Sequence, residues 1–401
     1  MQESLKDQSK KNTNKHVAIF AGGHGIYPLQ NILNQNHLNF NIITPPADWG
    51  GFTGVIGRAF ESENINQVVH GVKLPNLPFG DFNKIIGFFL GKRYCPEVEK
   101  AFIGKSSCKN MKSYFTFLQK NFRIFAKSIK FDAKVESEFL NYINCILSNC
   151  FANDVCIEGG SIAHFFNAWV YSKTTCMIEF NKFCHSLKII PDNINLYFLV
   201  EHDRVKLIGT DCIGDKLEGE DAIDTHIRPI NPNTLKLINI DNTPLLESQL
   251  TPIFNIVKEC DIVIIANGSL ANYLPVCNDQ VLYNALFKEM AFNGQLYVMM
   301  NLFASANENN FGVLVGHLKK IGIDPVYIGT SLKIHWQDLE DILRLYSEDG
   351  YGKQVNKPDT TLAAAQYFAA LSLITEADDP TIKGIKYCPE SVARAFKPYL
   401  R

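Results

Sequence analysis

Four short stretches of this chain carry residues that could hold a phosphate or a metal. The first is Ala21-Gly22-Gly23-His24-Gly25, which closes an apolar run rich in Val, Ile and Phe. Bare amides at a strand–helix turn can hold an anion, and glycine permits close phosphate approach or a positive φ. The stretch matches neither G-x-G-x-x-G nor the Walker pattern, because no Lys-Ser/Thr follows. By itself it reads equally as a phosphate loop and as a tight turn.

The second stretch is Ala47–Gly54. Asp48 stands at the expected carboxyl end of a strand, and Gly50, Gly51, Thr53 and Gly54 make an amide-rich nest. In an open α/β sheet that edge receives ligands. Asp48 is placed to hold a magnesium ion bridging phosphates, to orient a hydroxyl, or simply to cap a turn. The third is Pro78–Asp81, where Asp81 opens a helical pattern and the plain role is its N-cap. The fourth begins at Ala266: Gly268 and Ser269 follow a buried strand and give a second amide-plus-hydroxyl cradle. Two such cradles in one sheet fit a diphosphate, or a nucleotide with a second group.

The histidines at 24, 164 and 226 share no ligand spacing, and hydrogen bonding is the simpler role for each. Glu218, Glu220, Asp221 and Asp224 read as a solvated loop rather than a carboxylate metal site.

The elements that must carry these loops follow from hydrophobic pattern. Val17–Ala21 and Asn39–Thr44 read as buried parallel strands, with Ile26, Leu29, Ile32 and Leu33 at near-helical spacing between them. From Lys112 to Cys150 the apolar residues step by three and four, as does the segment around "SIAHFFNAWVY". "NLYFLVE" and "RVKLIGT" flank "HD" and read as a β-hairpin. "DIVIIANG", "GQLYVMMNLF" and "DPVYIGT" supply later strands, with helices between them. The alternation predicts an α/β fold, a doubly wound, mostly parallel sheet with an inserted helical subdomain and a C-terminal helical cover near "TTLAAAQYFAALSLI". "RYCPEVEKAF" and "KYCPESVARAF" echo one another as two proline-led helix starts rather than a repeat.

Bulk properties narrow the class. A formal net charge of -2 creates no field favouring nucleic acid or an anionic membrane. Eleven scattered cysteines include no Cys-x-x-Cys pair, which removes the basic spacing of zinc ribbons and suits reduced, mostly buried thiols. The N-terminal segment lacks an apolar core and reads as a leader, not a signal peptide. The longest apolar runs are far too short to span a bilayer. The expectation is a soluble cytoplasmic protein, a candidate homodimer, with a small-molecule nucleotide partner and no nucleic-acid or membrane partner.

In this order, the loops resemble the 2-phospho-L-lactate transferase (CofD-like) family, which includes the YvcK-type gluconeogenesis-factor proteins. The likeness spans about Val17 to Ile328. The family's "GGGTG" resembles Ala21–Gly25, its "DDGGSSGRLR" resembles Ala47–Gly54, and its "PPGDIRN" resembles Leu77–Asn83. "GESAI" is similar to Gly219–Ile223, "GPGSL" to Asn267–Leu270, and "NLMT…ET" to Asn301-Leu302-Phe303 with Glu308. The resemblance implies a Rossmann-like nucleotide-binding core; with the residue pattern it gives a domain over residues 16–335, with about 84–150 as the inserted helical part, between a disordered leader (1–15) and a helical extension (336–401). It implies that Gly22, Gly23, His24, Gly25, Gly50, Gly51, Thr53, Asp81, Asn267, Gly268, Ser269 and Asn301 line a nucleotide-diphosphate site. Asp48 would be the metal or catalytic contact.

One branch of the family transfers phospholactate from a guanosine-diphosphate carrier to a deazaflavin with a divalent metal. The YvcK-like branch binds UDP-type nucleotide-sugars and has a regulatory role in metabolism. The glycine-rich second motif and "PFGD" favour the latter. The family's paired Asp appears as Ala47-Asp48, and phosphoryl transfer needs metal charge at the developing oxyanions. That departure favours ligand binding over transfer. The usual Thr is His24, "SxGN" becomes Ser161-Ile162-Ala163-His164, and Asn83 stands where an arginine would follow. A diverged scaffold without a ligand is the third reading.

Overall fold

The computed structural model describes residues 14–23, 25–45, 79–108, 110–152, 159–174, 176–201, 205–224, 226–268, 270–299, 311–329, 373–374 and 386–400. Along the chain the strands are β1 (Lys15–Phe20), β2 (Leu38–Thr44), β3 (Ile194–Phe198), β4 (Val205–Thr210), β5 (Lys216–Glu218) and β6 (Lys236–Asn239). They continue as β7 (Ile262–Ile265), β8 (Leu296–Met299), β9 (Val326–Ile328), β10 (Leu373–Ile374) and β11 (Lys386–Tyr387).

The main sheet runs β3-β2-β1-β7-β8-β9, and every neighbouring pair is parallel. Counted along the chain this is the order 3-2-1-4-5-6 of a doubly wound α/β sheet. The order reverses between β1 and β7, where Val17 lies opposite Ile262 and Phe20 opposite Ile265. Val17–Phe20 of β1 and all of β7 are apolar because both faces of these central strands are covered. β7 is buried at all four positions.

Alternate side chains of each strand enter different cores. Val17, Ile19, Phe40, Ile42, Ile262 and Ile264 face one side; Ala18, Phe20, Ile43, Val263 and Ile265 face the other.

A 3₁₀ turn (Tyr27–Leu29) and the short α1 (Gln30–Leu33) join β1 to β2. A helical block then fills the first side: α2 (Gly80–Arg93), α3 (Pro96–Ile103), α4 (Met111–Ile129), α5 (Ala133–Ala152), α6 (Ile162–Thr174) and α7 (Met177–Ser186). In α4 the buried residues Tyr114, Leu118, Phe122, Phe125, Ala126 and Ile129 form one stripe at three- and four-residue steps. Asn110 caps its start by accepting the Ser113 N–H at 2.9 Å. Phe102, Phe125, Phe139, Phe166 and Trp169 lock α3 to α6 together through ring contacts.

The second side carries α8 (Glu220–Asp224), α9 (Glu247–Lys258), α10 (Leu270–Cys277), α11 (Tyr283–Phe292) and α12 (Phe311–Lys320). A small antiparallel sheet, β5-β4-β6, belongs to the same side. The last described helix, α13 (Pro389–Leu400), returns to the first side beside α1.

Three expectations need correction. β3 and β4 do not form a hairpin: β3 adds to the edge of the parallel sheet beside β2, and β4 pairs with β5 and β6. Apolar alternation in two adjacent strands does not distinguish one sheet from two. The acidic stretch after Lys216 is not a loop but β5 and α8, hinged at Gly219 with φ 92°. Within "TTLAAAQYFAALSLI", Leu373–Ile374 form a strand pairing with Lys386–Tyr387, while the rest lies outside the described residues.

The helical run is longer than the 84–150 insertion read from sequence, since it reaches from Gly80 to Ser186. The 1–15 leader and the 336–401 extension fall largely outside the described residues, although Lys15 already belongs to β1. The two "CPE" segments do start helices, at Pro96 and Pro389. Among the described residues, no helix is long and apolar enough to cross a membrane.

Candidate functional site

The site forms where the strand order reverses, because β1 and β7 end side by side there. Beyond β1 come Ala21, Gly22, Gly23 and Gly25; beyond β7 come Ala266, Asn267 and Gly268. A Cβ placed on Gly25 would lie 2.6 Å from the Asn267 carbonyl oxygen and 3.2 Å from the Ala266 Cβ. Only glycine lets the two strand ends meet this closely.

Asp81 joins the same loop from the first turn of α2. Its Oδ1 accepts the Gly23 N–H at 2.8 Å, and the residue is 7% exposed. The expected N-cap role is thus redirected, because α2 begins at Gly80 without a side-chain cap and the carboxylate reaches across to β1's loop. The Gly25 N–H donates to the Gly22 carbonyl at 3.1 Å, so the loop is also a tight turn. The turn reading of "AGGHG" describes what is seen: Gly25 closes back on Gly22, and the Gly23 amide is held by a carboxylate.

Lys84 is a residue that sequence reasoning missed. One turn along α2, its Nζ lies 3.5 Å from Asp81 Oδ1. Its stem lies directly over Gly23, where an added Cβ would overlap it. The side chain remains 41% exposed, so the ammonium stands at the rim of the loop. The i,i+3 spacing from Asp81 was the available signal. Asn83, where an arginine was sought, is instead buried and accepts the Asn167 amide at 2.7 Å.

Asn267 contributes an unsatisfied group: its side-chain oxygen is buried without a hydrogen-bond partner. Such an atom is costly to leave unpaired, so a donor arriving between the two loops would gain from it.

His24, Asp48, Gly50, Gly51, Thr53, Ser269 and Asn301 lie outside the described residues. Of the other candidates, Gly22, Gly23, Gly25, Asp81, Asn267 and Gly268 come together at the strand reversal. His164 does not act as a free base. Its Nδ1 accepts the Ser161 N–H at 3.2 Å and meets the Ser161 hydroxyl at 2.8 Å, an imidazole version of a capping box at the start of α6. Burial and the nearby Lys105 push its pKa down to about 3.

His226 is tied into a separate polar knot. Its Nε2 lies 3.1 Å from Asp211 Oδ2, which also receives Arg228 Nε at 2.9 Å. Burial pushes the Asp211 carboxyl up, but the amides of Asp215 and Ile213, His226 and Arg228 outweigh it and hold it below the ordinary value. Among the described residues, no group of three His, Cys, Asp or Glu is arranged to hold a metal ion.

These features define an open, doubly wound α/β protein with a glycine-lined crevice at its topological switch point. Neither a family model nor a curated protein matches the chain. Solved structures match its fold. Protein BH3568 from Bacillus halodurans superposes with a TM-score of 0.62 at 15% identity, covering 96% of this chain and 99% of that one. A second structure of BH3568, described as a member of the UPF0052 family, gives 0.58 at 16% identity, covering 95% and 99%. At such identity the likeness establishes a shared fold over nearly the whole of both chains.

Proposed function

We propose that this chain belongs to the CofD/YvcK group, to which UPF0052 proteins belong, and binds a nucleotide-diphosphate ligand of the UDP-sugar type in a metabolic regulatory role. The observation that carries the reading is the meeting of Gly22–Gly25 with Ala266–Gly268 at the reversal of strand order. Dinucleotides and related ligands bind in that crevice of doubly wound sheets. The ordered loop motifs point to the same group independently of the fold.

In this reading Lys84 supplies the positive charge for the diphosphate. Asn267 offers its unpaired oxygen to a ligand donor, and glycine at 25 keeps the two loops in contact. The described part of the site has one carboxylate, Asp81, with an amide and an ammonium already beside it. That donor set does not fit a divalent ion. A magnesium requirement would therefore fall to Asp48, and it belongs to the transferase alternative.

Calorimetric titration with UDP-glucose, GDP and a deazaflavin, each with and without magnesium, tests the proposal. UDP-sugar binding without turnover is expected, and Lys84→Ala should weaken it roughly tenfold, as loss of a charge-assisted bond implies. Magnesium-dependent deazaflavin binding with GMP release would replace this reading with transfer. Absence of all nucleotide binding in a folded protein would leave the scaffold.

A further inference from the structure

On the second side of the sheet, away from the glycine loops, lies a cavity of about 1030 Å³. The small sheet, α9, α10, α11 and α12 enclose it. Its walls include Leu199, Leu237, Leu250, Pro275 and Val276, while Lys236, Lys288 and Lys320 are exposed around it. None of these residues belongs to the crevice between β1 and β7.

Charge around the cavity is one-sided. Among the described residues, none of the three lysines makes an ion pair. The acidic residue on the lining is Asp279, and its Oδ1 accepts the Leu282 and Tyr283 amides at 2.9 and 3.2 Å. Lys288 is held in place because its stem lies across Gly322, a left-handed glycine with φ 83° just beyond α12.

Two buried polar groups on the lining lack partners. Asn278 Nδ2 donates to the carbonyls of Pro232 and Leu235 at 2.8 and 3.0 Å. Its Oδ1 must then be the atom that meets His317 Nε2 at 2.7 Å, so the imidazole carries its proton on Nε2. His317 Nδ1 is left as a bare lone pair, buried and unpartnered, and the Tyr283 hydroxyl is likewise unpartnered. Burial and the nearby Lys320 hold the His317 pKa below its ordinary value, which keeps the ring neutral and Nδ1 an acceptor. Both residues are nearly inaccessible, His317 at 5% and Tyr283 at 0%. Both residues form part of the cavity wall.

We propose that this cavity is a second ligand site, distinct from the nucleotide crevice, for a small organic anion with an apolar body. The anionic group meets Lys288 and Lys320, and the body lies along Leu237, Leu250 and Val276. The volume suits a metabolite-sized molecule.

The dye 8-anilinonaphthalene-1-sulfonate has both parts, a sulfonate and a fused aromatic body. Its fluorescence titration on the full chain, with excess UDP-glucose present, should show saturable binding that the nucleotide does not displace. Charge reversal at K288E/K320E should weaken it at least tenfold, while K182E on exposed α7 leaves it unchanged. Leu237→Trp, which fills the cavity, should abolish the emission. N-phenyl-1-naphthylamine, the same body without the sulfonate, should bind at least tenfold more weakly.

Unchanged affinity in K288E/K320E, equal binding of the neutral dye, or displacement by UDP-glucose would each overturn the proposal. Melting temperatures verify folding, and if Leu237→Trp fails to fold, the charge pair and the neutral dye decide. Because the readout is independent of nucleotide binding, failure here leaves the crevice reading standing, and the reverse also holds.

Discussion

The two sides of the parallel sheet are covered by different materials. On one, α2 to α7 interlock through phenylalanine and tryptophan rings, as in the Phe82–Phe180 contact at 6.2 Å and the Phe122–Phe139 contact at 4.8 Å. On the other, a three-stranded sheet and the shorter helices α9 to α12 leave a cavity walled in part by His317 and Tyr283, whose Nδ1 and hydroxyl lack hydrogen-bond partners. The lesson is that one parallel sheet can support a dense scaffold on one side and an open cavity on the other. Because each strand alternates its side chains, neither side constrains the packing of its opposite.

The largest expected effect tests the dense side. Phe166→Ala should cost about 3–5 kcal/mol in urea unfolding, the usual range for deleting a buried ring. Leu237→Ala, beside existing space, should cost about 1 kcal/mol. Equal losses would erase the contrast. At the junction of the two sides, Asp81→Ala should cost about 1–3 kcal/mol in thermal unfolding, because it strands the buried Gly23 N–H. Lys84→Ala should stay within about 0.5 kcal/mol of the parent.

A pH series sharpens the comparison further. His164, at the start of α6 on the dense side, has its folded pKa lowered to about 3, against about 6.5 in an unfolded chain. The contribution is complete above about 6.5. As pH falls through that value the unfolded chain takes the proton first, so stability declines toward about 3 by at most about 1.4 kcal/mol per pH unit. His164→Gln keeps an acceptor for Ser161 and should flatten this share of the slope in denaturation midpoints taken from pH 7 to 4. The smallest effect belongs to the open side. Tyr283→Phe removes a hydroxyl that has no partner and should leave stability within about 0.5 kcal/mol, or raise it.

Much of the scaffold was readable from residue pattern. The buried strands β1 and β7 announce themselves through runs of Val, Ile, Ala and Phe, β2 through Phe40, Ile42 and Ile43, and α4 through its stripe of Phe and Leu. Pairing was not readable where periodicity alone speaks, which is why β3 and β4 were joined as a hairpin. A period of two fits the edge of a parallel sheet as well as an antiparallel pair.

At the site, glycine spacing located the crevice, but the destination of each amide depends on tertiary contacts. That Gly23 donates to Asp81, 58 residues on, is invisible to a local reading. Lys84 lies outside the glycine-and-acid motifs and is marked in sequence only by its helical spacing from Asp81. The cavity on the second side has no sequence signature, because its lysines come from β6, α11 and α12 and meet only in the fold.

The Asp81–Gly23 bond has a consequence for how the crevice meets any phosphate. The carboxylate sits where an incoming oxygen would take hold, acting as a resident stand-in that keeps the loop in shape before a guest arrives. A phosphate drawn to that amide would exchange one anionic acceptor for another, with little net gain there. Selectivity would then depend on what surrounds the exchange, Lys84 at the rim and Asn267 between the strands. The glycines set the shape of the berth, and these two side chains choose who occupies it.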